Sequence, residues 1–166
     1  MHFRRFVFTA AAFVGVHVTM WHYGYDIASS QGGSMLPTVP SRPTFFIAKM
    51  ITSEDRLERG SIVHADLKYG QLRIYRSGVL KRIVGLPGDQ VYNDKKDEWE
   101  EVPEGHVYLM GDNRTDSWDS RNYGPVAAEV VKNRMLFTFN PLIPFLWYDL
   151  PESVHDDSKI VRMAAQ

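Results

Sequence analysis

Short runs rich in β-branched and aromatic residues recur along this chain, each closed by a turn signal, and no segment carries a long apolar stripe at helical spacing. The runs are Thr44–Ala48, Ser61–Ala65, Leu72–Tyr75, Val79–Val84, Gln90–Tyr92, Val107–Met110 and Leu136–Phe139. Gly60, Gly70, Gly78, the Pro87-Gly88-Asp89 corner, Pro103 and Gly105 punctuate them. Strands this short, with turns this frequent, pair with their neighbours, so the expected fold is mainly β and antiparallel. Only Ala127–Lys132 suits a brief helix. Asn93–Glu101 is a charged excursion that reads as a solvated hairpin loop. Met135–Tyr148 is apolar but broken by Asn140, Pro141 and Pro144, which suits a core strand followed by an apolar lip resting on a bilayer.

Before these runs, no Asp, Glu, Lys or Arg occurs between Arg5 and Asp26. As a helix that stretch is about 30 Å long, one hydrocarbon thickness. Arg4 and Arg5 flank its start, so the N-terminus is expected on the matrix or cytoplasmic side, with Trp21, Tyr23 and Tyr25 at the far interface. His17, Thr19 and His22 thin the apolar character of its second half. A cleaved secretory signal ending near Ala28-Ser29-Ser30 is the alternative, and it would leave Ser34 almost at a terminus. The expected organisation is a tail and transmembrane anchor over 1–26, a β-rich domain over 27–150, and a polar tail over 151–166 that frays.

Composition removes several function classes. A formal net charge of -1, with no Lys/Arg stripe interleaved with aromatics, gives no attraction to nucleic acid. The absence of cysteine excludes a disulfide framework, a thiol nucleophile and a cysteine-ligated metal. His64, His106 and His155 are isolated and no His-Glu-x-x-His occurs, which argues against zinc and histidine catalysis. Asp112, Arg114, Asp116 and Trp118 do not supply the alternating oxygens and central glycine of a calcium loop. No metal or cofactor is expected.

Two residues point to nucleophilic chemistry. Ser34 lies in Gly32-Gly33-Ser34-Met35-Leu36-Pro37-Thr38, where the glycines let a substrate approach the backbone and Pro37 stiffens the turn. Lys81 lies in Val79–Val84, where alternation in a half-buried strand sets it beside Val79 and Ile83. A lysine can take a serine proton at neutral pH only where burial or neighbouring groups push its pKa far down, so this pair requires a dry, apolar site. Either residue alone is weak evidence. Gly-Gly-Ser marks many ordinary turns, and strand lysines are usually solvated.

A third block, Val107-Tyr108-Leu109-Met110-Gly111-Asp112-Asn113-Arg114 through Ser117-Trp118-Asp119-Ser120-Arg121 to Gly124-Pro125, makes the pattern specific. In order and approximate spacing, the three blocks over residues 32–125 resemble the type I signal peptidases, and the chain's brevity makes it most similar to the mitochondrial inner membrane peptidase, subunit 1 type. The resemblance implies a serine/lysine peptidase domain with Ser34 as nucleophile, Lys81 as general base, and Ser117 as the hydroxyl that holds the lysine amine. It also implies scaffold pairs, Asp112 with Arg82 and Asp119 with Arg121. One departure stands out: some members carry a hydroxyl two residues before the nucleophile to help stabilise the oxyanion, and here that position is Gly32.

By the same resemblance, the expected activity is removal of N-terminal sorting or signal segments from precursors directed to the mitochondrial intermembrane space. The enzyme would be a single-pass protein of the inner membrane, its catalytic domain facing that space, and its partners the precursors, the bilayer and a related second subunit. A bacterial-type signal peptidase acting on secreted proteins and a catalytically idle, membrane-anchored binding subunit are the alternatives. A soluble self-cleaving repressor also combines serine with lysine, but the anchor and the lack of a DNA-binding element argue against it.

Overall fold

The computed structural model describes residues 14–15, 18–41, 44–51, 57–69, 72–73, 78–139, 147–150, 155, 157 and 160–162. The strands are β1 (Tyr25–Ser30), β2 (Thr44–Met50), β3 (Ile62–Ala65), β4 (Lys68–Tyr69), β5 (Leu72–Arg73), β6 (Val79–Gly85), β7 (Gln90–Asn93), β8 (Glu98–Glu101), β9 (His106–Met110), β10 (Val126–Ala127), β11 (Val131–Phe139), β12 (Trp147–Asp149) and β13 (Val161–Arg162). The main sheet runs β1-β2-β11-β3-β6-β9-β10, with β12 added to β11, and every pairing is antiparallel. A second sheet has the order β13-β7-β8, and β4 pairs with β5. The chain is thus mainly antiparallel β, as the alternation of short strands and turn signals predicts.

β6 lies between β3 and β9 and is buried at all seven positions. The half-buried alternation expected for Lys81 therefore does not occur: apolar side chains cover β6 on both faces, with Val79 and Ile83 in one cluster and Leu80 in another. A third cluster of Val84, Val91, Val102, Tyr108 and Met110 joins the main sheet to the second one.

Four local expectations are corrected. Tyr25 opens β1 opposite Lys49 instead of ending an anchor helix, because Gly24 takes a positive φ of 77° and its carbonyl accepts from Met50 N–H at 2.7 Å. Within Ala127–Lys132 only Ala128–Val130 forms a helical 3-10 turn, and the β-branched Val131 starts β11. In Asn93–Glu101 only the turn is loop-like, since Glu98–Glu101 pairs with β7 and Tyr92 meets Trp99 with ring centroids 5.4 Å apart. In the tail, Val161 pairs with Val91 and Arg162 with Gln90, so at these positions the chain is docked.

Helical turns occur at residues 14–15 and 18–22, and no helix among the described residues is long and apolar enough to cross a membrane. Residues 6–13 and 16–17 of the expected anchor, residues 140–146 of the apolar lip and most of the tail lie outside the described residues.

Candidate active site

Ser34 sits in the turn between β1 and β2. Leu36 N–H donates to the Gly33 carbonyl at 3.1 Å and Val39 N–H to the Met35 carbonyl at 2.8 Å. Met35 and Val39 are buried with Phe46 and Leu80, so apolar side chains just after the serine pin the turn to the sheet. Lys81, opposite Val63 in the middle of β6, reaches this turn with Nζ 2.8 Å from Ser34 Oγ. The residue is only 3% exposed. Burial pushes the Lys81 amine down to about 8, against the opposing pull of the Asp119 carboxylate. An open cleft of about 710 Å³ passes over the pair, with Met35, Phe46, Leu80 and Met135 among its apolar lining and Ser29, Ser30 and Gln31 along one wall.

The loop between β9 and the one-turn helix at Ser120–Tyr123 forms the floor of the site. Arg82 meets Asp112 through two hydrogen bonds, Nε to Oδ1 at 2.9 Å and Nη2 to Oδ2 at 2.7 Å. Arg121 meets Asp119 in the same way, Nε to Oδ1 at 2.9 Å and Nη2 to Oδ2 at 3.0 Å. Burial alone would raise both carboxyls, but these guanidinium hydrogen bonds hold them below the usual carboxylate range. Asp119 also accepts from Gly111 N–H at 3.1 Å and caps the helix, which fixes the loop at both ends. Ser117 Oγ is buried beside this carboxylate but forms no hydrogen bond of ordinary geometry, so the bond to Lys81 that the resemblance implies is not made.

Two residues of this loop, Asn113 and Gly111, carry contacts that their place in the sequence does not reveal. Asn113 N–H donates to the Ser34 carbonyl at 3.0 Å, and Asn113 Nδ2 donates to the Gly33 carbonyl at 3.0 Å. Gly111 packs so tightly under the serine that an added Cβ would lie 2.3 Å from Ser117 Oγ and 2.4 Å from the Ser34 carbonyl oxygen. Their presence in the Gly-Asp-Asn-Arg block was the available signal. Nothing in the sequence said that the block folds against residues 33 and 34.

Gly32 has a φ of 139° and open space around it, so this position supplies no side-chain donor to the cleft. Ser34 N–H donates to no group among the described residues, which leaves it available to a substrate oxygen. Among the described residues no group of three or more His, Asp or Glu side chains could hold a metal ion.

A family model described as "Signal peptidase, peptidase S26" matches residues 1–98 and 92–140. The chain belongs to this signal peptidase family. Its relatives include mitochondrial inner membrane protease subunit 1 of Schizosaccharomyces pombe, 34% identical over 116 residues that cover 69% of this chain and 73% of that protein. The subunit 1 protein of Homo sapiens is 31% identical over 129 residues, 75% of each chain. Mitochondrial inner membrane protease subunit 2 of Danio rerio is 28% identical over 165 residues, covering 95% of this chain and 86% of that one. Membership of the signal peptidase family supports reading the chain as a peptidase, and the matched span contains Ser34, Lys81 and the loop from Gly111 to Asp119.

Proposed function

We propose that this chain is a membrane-anchored serine endopeptidase that removes N-terminal sorting segments from precursors directed to the mitochondrial intermembrane space. The observation that carries the reading is a buried lysine amine, pushed down to about 8, hydrogen-bonded at 2.8 Å to a serine hydroxyl inside an open cleft. Neutral Lys81 takes the Ser34 proton as Ser34 Oγ attacks the scissile carbonyl, and the resulting ammonium returns that proton to the leaving amine. An acyl-enzyme remains. Lys81 then draws a proton from water, whose oxygen attacks the ester, and the proton passes back to Ser34 as the new carboxylic acid leaves. With Gly32 lacking a donor, the Ser34 backbone N–H stabilises the developing oxyanion together with a further main-chain or water donor.

Asp112–Arg82 and Asp119–Arg121 are the scaffold of this site. The precursor adds to the domain as a β-strand, with small residues at the cut. The anchor lies before β1, which opens the catalytic domain at Tyr25; that domain runs to residue 150 in the intermembrane space, and residues 151–166 form the tail. The names of the relatives support an inner-membrane setting and a related second subunit as partner. Anchoring raises the local concentration of membrane-held precursors around the cleft. The test is incubation of the purified protein with such a precursor. Cleavage that is lost in both Ser34→Ala and Lys81→Ala supports the reading, and cleavage unchanged in either variant defeats it.

A further inference from the structure

The C-terminal segment touches the active-site loop at two points, one on each side of Asn113. His155 Nε2 lies 2.6 Å from the Asp112 carbonyl oxygen. A carbonyl only accepts, so the histidine proton is on Nε2 and is donated there. One residue beyond Asn113, Arg114 Nη2 meets Asp157 Oδ1 at 2.8 Å, and both side chains are mostly buried, 15% and 17% exposed. Asn113 itself holds Ser34, through its N–H on the Ser34 carbonyl and its amide on the Gly33 carbonyl.

The far end of the segment is anchored independently. Tyr92 N–H donates to the Ile160 carbonyl at 2.8 Å, Val161 pairs with Val91, and both Ile160 and Val161 pack on the cluster around Val84 and Tyr108. Arg162 stacks its guanidinium over Trp99, 3.8 Å from the ring centroid. Ile160 N–H also donates to the Asp157 carbonyl at 3.1 Å, so a residue docked on the second sheet is hydrogen-bonded to the one that meets Arg114. Removing one partner of a largely buried ion pair leaves the other charge unpaired and poorly solvated, so the Arg114–Asp157 contact is costly to break even though burial raises the Asp157 carboxyl.

We infer that His155 and Asp157 are positioning residues: the segment bearing them clamps the loop on either side of Asn113 and, through Asn113, sets where Ser34 stands. Neither touches the reacting atoms. The inference rests on the proposed function for its catalytic consequence, but its structural part is measurable without any substrate.

Hydrogen exchange at the Asn113 amide reads the clamp directly, because that N–H is the donor to Ser34. In full-length protein, His155→Leu and Asp157→Asn should each lower protection there by about tenfold or more while protection in β6 and β9 is kept. His155→Gln, which retains a side-chain N–H donor, should restore it. Cleavage of a membrane-held precursor should slow by about tenfold in kcat for His155→Leu, since a small displacement of a nucleophile is costly. Unchanged Asn113 protection in both His155→Leu and Asp157→Asn overturns the inference, as does protection lost in His155→Leu that His155→Gln fails to restore. If the wild-type protein cleaves nothing, the peptidase reading fails, and the exchange measurement still decides whether the clamp exists.

Discussion

Lys81 and Arg82 are neighbours on one strand, each 3% exposed, yet their surroundings treat positive charge in opposite ways. Arg82 is met by a carboxylate aligned along two of its N–H groups, with the Gly60 carbonyl accepting a third. Lys81 is met by a hydroxyl, and no carboxylate among the described residues lies within ion-pair distance of it. The carboxylate that pulls against its burial, Asp119, is already occupied by Arg121. Burial with a partner preserves a charge, whereas burial without one favours its removal. Two adjacent basic residues thereby become a structural cation and an amine able to act as a base.

The same substitution at the two positions should break this contrast most clearly. Arg82→Met leaves Asp112 buried without its partner and should lower stability by about 3–5 kcal/mol, most of it recovered in Arg82→Met/Asp112→Leu. Lys81→Met removes a buried, poorly compensated amine, so denaturant unfolding at neutral pH should show a gain of about 1–3 kcal/mol while precursor cleavage disappears. The sign follows from the lowered amine: its cost is fully present below about 8 and fades as pH climbs to the ordinary 10.5, where the unfolded chain also loses the proton. Loss of stability in Lys81→Met would show that the amine is a scaffold cation like its neighbour.

Gly111→Ala probes the contact between the two regions. Its methyl would meet the Ser34 carbonyl oxygen at 2.4 Å, so the serine must shift relative to Lys81, and kcat/KM should fall by about a hundredfold with the sheet intact. Normal kinetics in this variant would mean that the loop does not hold the serine. A pH profile sharpens the comparison at the smallest scale. With the Lys81 amine near 8, cleavage should rise about tenfold per pH unit from 6 upward and level off above 8. A flat profile between pH 6 and 8 would remove Lys81 from the role of base.

Much of the fold is legible locally. Thr44–Ala48, Val79–Val84 and Val107–Met110 are read from β-branched runs between glycines and prolines, and each lies within an observed strand, β2, β6 and β9. Misreadings occur where a local signal competes with pairing. The acidic Glu98–Glu101 looks like loop, but Tyr92 and Trp99 hold it to β7. The polar tail looks loose, but Ile160 and Val161 supply apolar contacts that ordinary composition does not reveal. In the candidate site, Ser34 and Lys81 could be singled out by residue type and context. Asn113 and Gly111 could not be given roles, because what matters about them is contact with residues about 80 positions earlier, as in the bond from Asn113 to Gly33.

By itself the sequence determined the strand-and-turn alternation, the family, and which side chains were available to act, since periodicity, turn chemistry and ordered motifs are written in neighbouring residues. Only the tertiary structure decided that Lys81 is dry and unpaired while Arg82 is dry and paired, and that Asn113 grips the serine turn. Desolvation and the direction of a hydrogen bond depend on which distant segments close over a group, and those segments meet only when the sheets assemble.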